Sequence, residues 1–480
     1  MLEGLEISEV KYSYLLSSND IFRFDSGFFL KEYINDEGLV LKLSNKSLSE
    51  LFEDIKSFGA YSLNNHVTYQ DYGIPFIRGV NMKNGKIDFS NMIYIDSNAN
   101  KLLWKSEVKP DMILLSMSGT LGDVAIASKC WKYPINSNQD IAKIELGIKS
   151  NAQYIYTFLL SKYGQNYIKR EARGSVQQHV FLSQIEQFII PLFSVRFEQK
   201  IQLIIETIED LDNRSKTTYT QAENLLLETL GLKGFKPSKE KINIKSFKES
   251  FLLSGRLDAE YYQEKYEEIE EKLKSTPHWD FLGKLIEKID TGEYSPEYFV
   301  KGEKKDLTFY IRSTNIKDGQ IDIDNNYFVS KNLFNRVAKK GNIVTARVGS
   351  VGVFGEIRNE LDGAIYSDNV LCFQLPNNYI PSVYSLLFNS KYYFELIDRL
   401  SRGSVQQRLN QETLKDLIIP TIDFKIQQQI SDKIEESFLL KEQSEELLEL
   451  AKAAVEMAIE EDEERGMGFI EKGFIEIENQ

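Results

Sequence analysis

The sequence predicts an α+β protein made of two similar globular domains, each followed by a long helix, with the two helices packed as a pair. Three observations predict this architecture: a duplication over most of the chain, strand-like runs within each copy, and helical periodicity after each copy. At 480 residues, and with about 150 residues per domain as a prior, the chain has room for about three units.

The duplication is clearest in the segment KREARGSVQQ, which begins at Lys169 and returns as DRLSRGSVQQ, with Gly174 matching Gly403 at an offset of 229 residues. Four further stretches align at this offset to within five residues. They are RFDSGFF from Arg23 with RLDAEYY from Arg256, IPFIRGVNMKNGKIDF from Ile74 with LTFYIRSTNIKDGQIDI from Leu307, DMILLSMSGTLGDVAIA from Asp111 with GNIVTARVGSVGVFGEI from Gly341, and NSNQDIAKIEL from Asn136 with YSDNVLCFQL from Tyr366. Five collinear matches indicate duplication of a whole domain of about 170 residues, far longer than a solenoid unit.

Each copy, which we call a head, has a mostly strand-like pattern. Short apolar or alternating runs such as residues 112–115 and 344–348 are separated by glycines, and the dipeptides at Asn84 and Asp318, each followed by glycine, predict tight hairpins. Residues 152–170 and 383–402 then carry apolar and aromatic side chains at helical spacing. Each head is therefore predicted to be α+β.

The apolar period changes after Pro191 and again after Pro420, where steps of three and four residues predict a helix-pair seam about thirty residues long. The seam positions are Ile201, Ile204, Ile208, Leu211, Ser215, Thr218, Ala222 and Leu225 in the first helix, and Ile430, Lys433, Ser437, Leu440, Ser444, Leu447, Ala451, Ala454 and Ala458 in the second. Small Ser and Ala side chains predict a close approach of the two helices. The alternative is that each helix docks on its own head.

The net charge of −14 is unevenly distributed along the chain. Residues 441–480 hold four bases against thirteen acids, whereas residues 301–347 hold ten bases against five acids and residues 74–130 hold seven against five. Because phosphate contacts need clustered Lys and Arg, the heads are compatible with DNA binding. The acidic end would repel DNA and is predicted to lie on a partner or in solvent.

Several kinds of chemistry are missing from the sequence. No proline is followed by another proline, which excludes the Asn/Asp-Pro-Pro-aromatic loop of an amino-methyltransferase, and no Gly-x-x-x-x-Gly-Lys-Ser/Thr loop is present. His66, His179 and His278 share no metal-binding spacing, while Cys130 and Cys372 are predicted to be small core residues. We therefore predict no catalytic residue and no metal site.

The N-terminus carries acids where a signal peptide carries bases, and no apolar run approaches the roughly 20 residues that a membrane span needs. The sequence therefore predicts a cytoplasmic protein without a membrane partner.

The candidate DNA-binding residues lie in turns that recur in both heads. Residues 119–122 and 349–352 form Gly-x-x-Gly turns, and an Arg-x-x-Asn-x-Lys segment precedes each of them. Arg and Asn are the side chains that pair bidentately with guanine and adenine edges. The candidates are Arg78, Asn81, Lys83, Thr120, Gln177 and Gln178 in the first head, and Arg312, Asn315, Lys317, Arg347, Ser350, Gln406 and Gln407 in the second.

Differences between the heads predict different target sequences, since Met117 stands where the second head has Arg347. The run Gly-Ser-Val-Gln-Gln is identical in both heads and is therefore poorly suited to telling bases apart. Its four glutamines have two open interpretations, a DNA contact or a join between head and helix.

Taken together, these residues resemble the specificity subunits of type I restriction-modification systems, and the similar subunits of some type II systems. The resemblance covers nearly the whole chain. It rests on the doubled head followed by a helix, on Gly-Ser-Val-Gln-Gln before Leu/Phe-Ile-Ile-Pro, on RLDAEYY at Arg256, and on the GNIV and GSVG segments from Gly341.

This resemblance implies two target-recognition domains, residues 1–192 and 255–421, each reading half of a split site in double-stranded DNA. It also implies spacer helices at 193–231 and 422–465 that pair as an antiparallel coiled coil with pseudo-two-fold symmetry, with a linker at 232–254. The acidic tail at 466–480 is a departure from the family. The expected partners are two DNA methyltransferase subunits and ATP-driven restriction/translocase subunits. S-adenosylmethionine, ATP and Mg²⁺ would belong to those partners, and this chain would bind no cofactor.

The length of the helices agrees with a spacer role. A helix of about 30 residues is about 45 Å long, comparable with about 13 base pairs. Three alternatives stay open: a subunit of a type II enzyme, a nuclease or fused modification enzyme with divergent motifs, and a scaffold that holds other proteins.

Overall fold

A computed structural model describes residues 8–17, 23–57, 67–174, 178–240, 242–300, 302–317, 319–323, 327–349, 351–401 and 408–478. The chain divides into two compact units, residues 1–213 with 440–480, and residues 214–439. Each unit contains one head together with part of each long helix. The boundaries that the sequence predicts between heads and helices stay a prediction.

The described residues of the first unit form twelve short strands and a set of helices. The strands are β1 Asn45–Ser47, β2 Phe52–Lys56, β3 Ile74–Ile77, β4 Met82–Lys83, β5 Lys86–Ile87, β6 Ile93–Ile95, β7 Glu107–Val108, β8 Ile113–Ser116, β9 Val124–Ile126, β10 Ile135–Ser137, β11 Ile141–Leu146 and β12 Ile189–Pro191. The helices are α1 Tyr12–Ser17, α2 Lys31–Val40, α3 Ser97–Leu102, α4 Ala152–Leu160, α5 Lys162–Glu171, α6 Leu182–Ile185 and the long α7 Val195–Thr229, which continues into the second unit.

The strands of the first unit form two four-stranded sheets and two strand pairs. One sheet has the order β2-β11-β8-β9 and is antiparallel throughout; the other has the order β6-β3-β10-β7, in which β3 and β10 run parallel. The pairs are β1 with β12 and the hairpin β4–β5. The strand β8 is buried at every position, so it forms the centre of the core.

The second unit repeats these elements. Its strands are β13 Trp279–Phe281, β14 Ile289–Thr291, β15 Leu307–Ile311, β16 Ile316–Lys317, β17 Gln320–Ile321, β18 Phe328–Ser330, β19 Asn342–Ala346, β20 Phe354–Glu356, β21 Ile365–Tyr366, β22 Val370–Gln374 and β23 Ile418–Pro420. Its helices are α8 Phe251–Ser254, α9 Glu264–Lys274, α10 Leu282–Leu285, α11 Pro381–Phe388, α12 Lys391–Leu400, α13 Gln411–Leu414 and the long α14 Phe424–Glu460, which continues into the first unit and is followed there by α15 Glu463–Glu478.

The topology of the second unit matches that of the first. The sheet β14-β22-β19-β20 corresponds to β2-β11-β8-β9. The three-stranded sheet β18-β15-β21 corresponds to β6-β3-β10 and keeps the parallel pair, here β15 with β21. The hairpin β16–β17 and the pair β13–β23 complete the match. The predicted duplication and the α+β class are confirmed.

The first hairpin has the predicted turn geometry, and the described part of the second agrees with it. Asn84 and Gly85 adopt φ values of 48° and 80° between β4 and β5, and Gly319 adopts 80° before β17. Positive φ at both central positions is the type I′ geometry that matches the twist of paired strands and favours Asn-Gly. Asp318 lies outside the described residues.

The helical segment at the end of each head is broken, whereas the sequence predicts one continuous helix. In the first head α4 ends before Ser161, whose hydroxyl accepts a hydrogen bond from the backbone N–H of Gly164 and so caps α5. In the second head Ser390 caps α12 in the same way through Tyr393 N–H. A serine that caps the following turn competes with continuation of the helix, and apolar periodicity does not reveal this competition.

The two long helices, α7 with 35 residues and α14 with 37, pack against each other through small side chains. In the second unit the hydroxyls of Ser215 and Ser437 lie 3.1 Å apart, and each donates to the backbone oxygen of the other residue. Further along, Lys433 Nζ donates to Gln221 Oε1 at 2.9 Å. Because the numbers rise on one helix as they fall on the other, the pairing is antiparallel, as predicted.

At two seam positions the fully buried side chain is the next residue: Leu226 and Ile434 are buried, whereas Leu225 and Lys433 are half-buried. Lys433 still contacts the other helix through Gln221, because a lysine can bury its stem while its amine stays near the surface. The prediction that Cys130 is a core residue is wrong, since it is exposed in the turn after β9, whereas Cys372 is buried in β22.

The predicted acidic tail is a docked helix. In the first unit α15 buries Ile470 completely and contributes Met467 and Phe474 to the core. Glu463 at its start accepts a hydrogen bond from the backbone N–H of Ser194, which precedes α7. The many acids of α15 make its apolar stripe at helical spacing hard to recognise in the sequence. This stripe packs on the core of the first unit, while the acids face water.

Candidate nucleic-acid interface

The first candidate element is a 3-10 turn, Gly79–Asn81, which follows β3. Asn81 is 1% exposed, and its Oδ1 accepts a 3.0 Å hydrogen bond from Arg78 N–H. The backbone oxygen of Asn81 accepts from Asp88 N–H at 2.7 Å. The buried amide therefore fixes the shape of the turn from inside.

The second head contains the same turn at Ser313–Asn315. Asn315 is fully buried; its Oδ1 accepts from Arg312 N–H at 3.0 Å and its Nδ2 donates to the backbone oxygen of Asp322 at 2.9 Å. The interpretation of Asn81 and Asn315 as side chains that read adenine is corrected here, because both amides are buried and hydrogen-bonded to their own hairpin. Residue type alone does not show which partner an amide has.

The arginine that opens each turn is partly held by its own head. Arg78 Nη2 donates to the backbone oxygen of Asn91 at 3.0 Å, and the guanidinium of Arg312 lies 3.8 Å from the ring centre of Tyr327. Both side chains are half-buried. They place positive charge beside the turn in a restricted orientation.

The lysines of the same segments lie on the first strand of each hairpin. Lys83 is 58% exposed and 3.5 Å from Asp88, and Lys317 is 50% exposed and 2.5 Å from Asp322. Ion pairs at this exposure contribute little and are screened by salt. Both lysines are therefore available to a phosphate that replaces the carboxylate.

The Gly-x-x-Gly turn lies against the 3-10 turn in both heads. Thr120 Oγ1 donates to the backbone oxygen of Gly79 at 3.2 Å and lies 3.0 Å from Ser116 Oγ. In the second head, a Cβ placed on Gly349 would lie 4.0 Å from Ser313 Oγ. The structure thus brings together two segments that are about forty residues apart in sequence. Ser350 lies outside the described residues.

The carboxyl of Asp123 lies next to this turn. Burial raises its pKa above the usual range, and the hydrogen bond from Thr120 opposes the rise. The second head has Val353 at the equivalent position, so this polar contact belongs to the first head alone.

The chain beside the Gly-Ser-Val-Gln-Gln run forms a third element of the site. Val180 N–H donates to the backbone oxygen of Met117 at 3.0 Å, and Leu409 N–H donates to that of Arg347 at 3.0 Å. In each head, the chain that follows the run therefore pairs with a residue just before the Gly-x-x-Gly turn. Gln178 is exposed, whereas Gln177, Gln406 and Gln407 lie outside the described residues.

The equivalent positions Met117 and Arg347 differ in burial as well as in charge. Met117 is 4% exposed and belongs to the core, whereas Arg347 is half-exposed. In the described part of the chain the Arg347 side chain makes no hydrogen bond or ion pair. The second head thus presents a guanidinium where the first presents none.

Sequence reasoning missed the exposed residue inside each 3-10 turn. Val80 is 58% exposed, and Thr314 is exposed at the same place. Both stand immediately before the buried asparagine. The sequence did contain a signal for this residue. In the Arg-x-x-Asn motif, Arg and Asn are the same in both heads and build the turn, whereas the exposed residue before Asn differs between the heads.

The β4–β5 hairpin of the first head is anchored within its unit. Lys86 Nζ donates to Asp212 Oδ1 at 2.8 Å and to Ser444 Oγ at 2.7 Å, and the Tyr156 hydroxyl donates to the backbone oxygen of Gly85 at 2.7 Å. These contacts hold the hairpin tip on the helix pair and on α4. The turns described above therefore stand on a fixed base.

We expect Gly85→Ala to lower the free energy of unfolding of the first unit by about 2–4 kcal/mol, because a left-handed alanine is strained and its Cβ must also displace neighbours. That Cβ would lie 2.7 Å from the Tyr156 hydroxyl and 3.0 Å from Leu448 Cδ2. Chemical denaturation and hydrogen exchange of the amides of residues 82–88 measure the effect.

Gly119→Ala is the matched control in the same unit, because Gly119 has φ 73° with no described atom within 4 Å of its Cβ. It should cost only the conformational strain, about 1–2 kcal/mol. Equal losses in the two variants would contradict the anchoring of the hairpin tip.

Among the described residues, no group of three or more His, Cys, Asp and Glu side chains could hold a metal ion. In the same part of the chain, no helix is long and apolar enough to cross a membrane.

Two heads that each present a 3-10 turn beside an exposed lysine, Lys83 or Lys317, define a candidate DNA-recognition protein. The family model described as "Type I restriction modification DNA specificity domain" matches residues 42–228 and again residues 282–450. The chain belongs to this family, and each match covers most of one head together with much of the long helix that follows it.

Two solved structures are similar to this chain. The S subunit of a type I restriction-modification system from M. genitalium aligns over 87% of this chain and 94% of its own, at 14% identity and a TM-score of 0.43. The HsdS subunit from Thermoanaerobacter tengcongensis aligns over 87% and 97%, at 13% identity and a TM-score of 0.29. No curated protein sequence matches the chain.

Proposed function

We propose that this chain is the specificity subunit of a type I restriction-modification complex and that each head reads one half of a bipartite DNA target. One observation carries the proposal: both heads build the same 3-10 turn around a buried asparagine and present a different residue from it, Val80 in one and Thr314 in the other. A shared backbone with variable exposed side chains suits two readers of different sequences.

The side chains proposed to contact DNA surround these turns. Lys83 and Lys317 contact phosphates, and Arg347 contacts a base edge. Thr120 and Gln178 lie at the edge of the DNA-contacting surface. Arg78 and Arg312 supply charge from a restricted position. Ser350, Gln177, Gln406 and Gln407 stay predictions from the sequence.

The chain itself is proposed to be non-catalytic and to act in the cytoplasm. It docks two methyltransferase subunits and, through the assembled complex, ATP-driven restriction subunits. S-adenosylmethionine, ATP and Mg²⁺ are bound by those partners.

Methylome sequencing tests this function. A host that expresses the chain with its methyltransferase partner should show a split methylated motif that disappears when the chain is deleted. Exchange of residues 1–192 or of residues 255–421 for those of a relative should change one half of the motif each time. Methylation that is unaffected by deletion would favour the scaffold function instead.

We also expect the long helices to set the gap between the two half-sites. Insertion of seven residues into α7 and seven into α14, next to Ser215 and Ser437, preserves the seam and adds about 10 Å to each helix. The gap should change by about three base pairs, while both half-site sequences stay the same. Selection from random duplexes measures the gap, and an unchanged gap would contradict the spacer role.

A further inference from the structure

Residues 232–257 connect α7 to the second head and form an exposed apolar segment, which we call the strap. Seven large apolar side chains of the strap are 41–91% exposed. They are Ile242, Ile244, Phe247, Phe251, Leu252, Leu253 and Leu257. Single exposed apolar residues are common on protein surfaces, but a concentration of this kind marks an interaction site.

The strap is held in place by polar contacts within the second unit. Asn243 Nδ2 donates to the backbone oxygen of Tyr262 at 2.9 Å, and Lys245 Nζ lies 2.6 Å from Glu267. Near its start, the Tyr392 hydroxyl donates to the backbone oxygen of Phe235 at 2.8 Å. The strap therefore offers its apolar side chains from a defined backbone, which lowers the entropic cost of binding.

Part of the strap is repeated in the first unit. Lys-x-Ser-x-Leu-Leu-Ser from Lys248 matches the same motif from Lys11, and short helices cover both, α8 and α1. Beyond the motif, Phe24 is 74% exposed where the second copy has Leu257 at 70%. The exposure of the motif differs between the units, because Leu15 is half-buried whereas the matching Leu252 is 64% exposed. The exposed apolar surface therefore belongs to the second unit.

We propose that the strap is a docking surface for a methyltransferase subunit, which would cover it with an apolar patch rimmed by acidic side chains. The proposal rests on the proposed function and names a surface for its partner. Lys236, Lys239 and Lys248 are exposed and form no ion pair with the described part of the chain, so they complement an acidic rim. Aromatic and aliphatic anchors of this kind dominate protein–protein binding energies.

The composition of the strap favours a protein over nucleic acid as its occupant. Five of the seven exposed side chains are Ile or Leu, which gain from apolar contact and give a phosphate nothing to bind. Two of its bases are already paired, Lys245 with Glu267 and Arg256 with Asp258.

The test uses the full-length chain with Ile244→Asp or Leu253→Asp. These side chains are 91% and 79% exposed, so both variants should fold as the wild type does. We expect the affinity for the purified methyltransferase subunit to fall on the order of tenfold to a hundredfold, because a charge enters a buried apolar contact. Binding of the chain alone to a duplex that contains the methylated motif should not change.

Ile148→Asp is the matched control, since Ile148 is 97% exposed in a turn of the first unit and lies outside the strap. It should leave the affinity for the methyltransferase subunit unchanged. If the strap variants bind that subunit as tightly as the wild type, the docking proposal fails while the proposed function stands. If they lose only DNA binding, the strap contacts nucleic acid instead, and if they only abolish self-association, its occupant is a second copy.

A wild-type chain that binds DNA by sequence but does not bind the methyltransferase subunit overturns both proposals at once. The wild-type titration therefore separates failure of the proposed function from failure of the strap alone.

Discussion

Replacement of Lys143 with methionine is expected to raise the free energy of unfolding of the first unit by about 2–4 kcal/mol at pH 7. Lys143 lies in the middle of β11 with no exposed surface, and its Nζ donates to Ser137 Oγ at 3.1 Å and to the backbone oxygen of Ile141 at 3.0 Å. Burial, and to a lesser extent the nearby Lys56, lowers the pKa of its amine to about 7. At about 1.4 kcal/mol per pKa unit, the lowered pKa destabilises the folded wild type by about 4 kcal/mol at pH 7. The variant regains this free energy but loses about 1 kcal/mol for each hydrogen bond that methionine cannot make.

The sign of the pH dependence follows from the lowered pKa. Between pH 7 and pH 10.5 the unfolded chain holds this proton more tightly than the folded chain, so the wild type becomes more stable as the pH rises through that window. Between pH 7 and pH 9 the gain from this residue should be about 2 kcal/mol. The Lys143→Met variant should lack this increment.

Denaturant titrations of the full chain at several pH values measure both effects. Lys149→Met is the control, because Lys149 is exposed in the turn that follows β11. The second unit has Cys372 at the position of Lys143, also buried, which shows that the same sheet accepts a neutral side chain there. A variant no more stable than the wild type, with the same slope against pH, would contradict the assignment of a strained lysine.

Replacement of Arg347 with methionine is expected to relax the preference for one base pair in the half-site of the second head, and to leave the other half-site unchanged. Met117 occupies the equivalent position in the first head, so the backbone there accommodates methionine. A bidentate contact between arginine and a base edge contributes about 1–3 kcal/mol of discrimination, about tenfold to a hundredfold. Selection from random duplexes with the assembled methyltransferase measures the change position by position.

Arg347→Lys separates base reading from simple charge. Lysine keeps the positive charge but lacks the planar fork of the guanidinium. If Arg347 contacts a base, both variants should lose the preference for that base pair. If Arg347 contacts only phosphate, the lysine variant should bind DNA as the wild type does. The methionine variant should then bind all sequences equally more weakly, with a shallower salt dependence. The second pattern would contradict base reading by this residue.

Much of the architecture followed from the sequence, because it depends on local and repeated patterns. The five matched stretches predicted two heads of one topology, Asn84-Gly85 predicted its hairpin, and the seam of small residues predicted the contact between Ser215 and Ser437. Turn chemistry and periodicity act over a few residues, so they can be recognised without knowing the neighbours.

Only the tertiary structure decided the roles that depend on burial and on hydrogen-bond partners. Asn81 and Asn315 have side chains of the type that pairs with adenine. In both residues, however, the side-chain amide is hydrogen-bonded to nearby backbone of its own head. Ile470 is fully buried within a sequence that looks like a solvated acidic tail, and Lys143 is buried without a carboxylate among the described residues. Segments far away in the sequence determine whether a polar group contacts solvent, DNA or the backbone of its own domain. Residue type and spacing alone therefore cannot predict that contact.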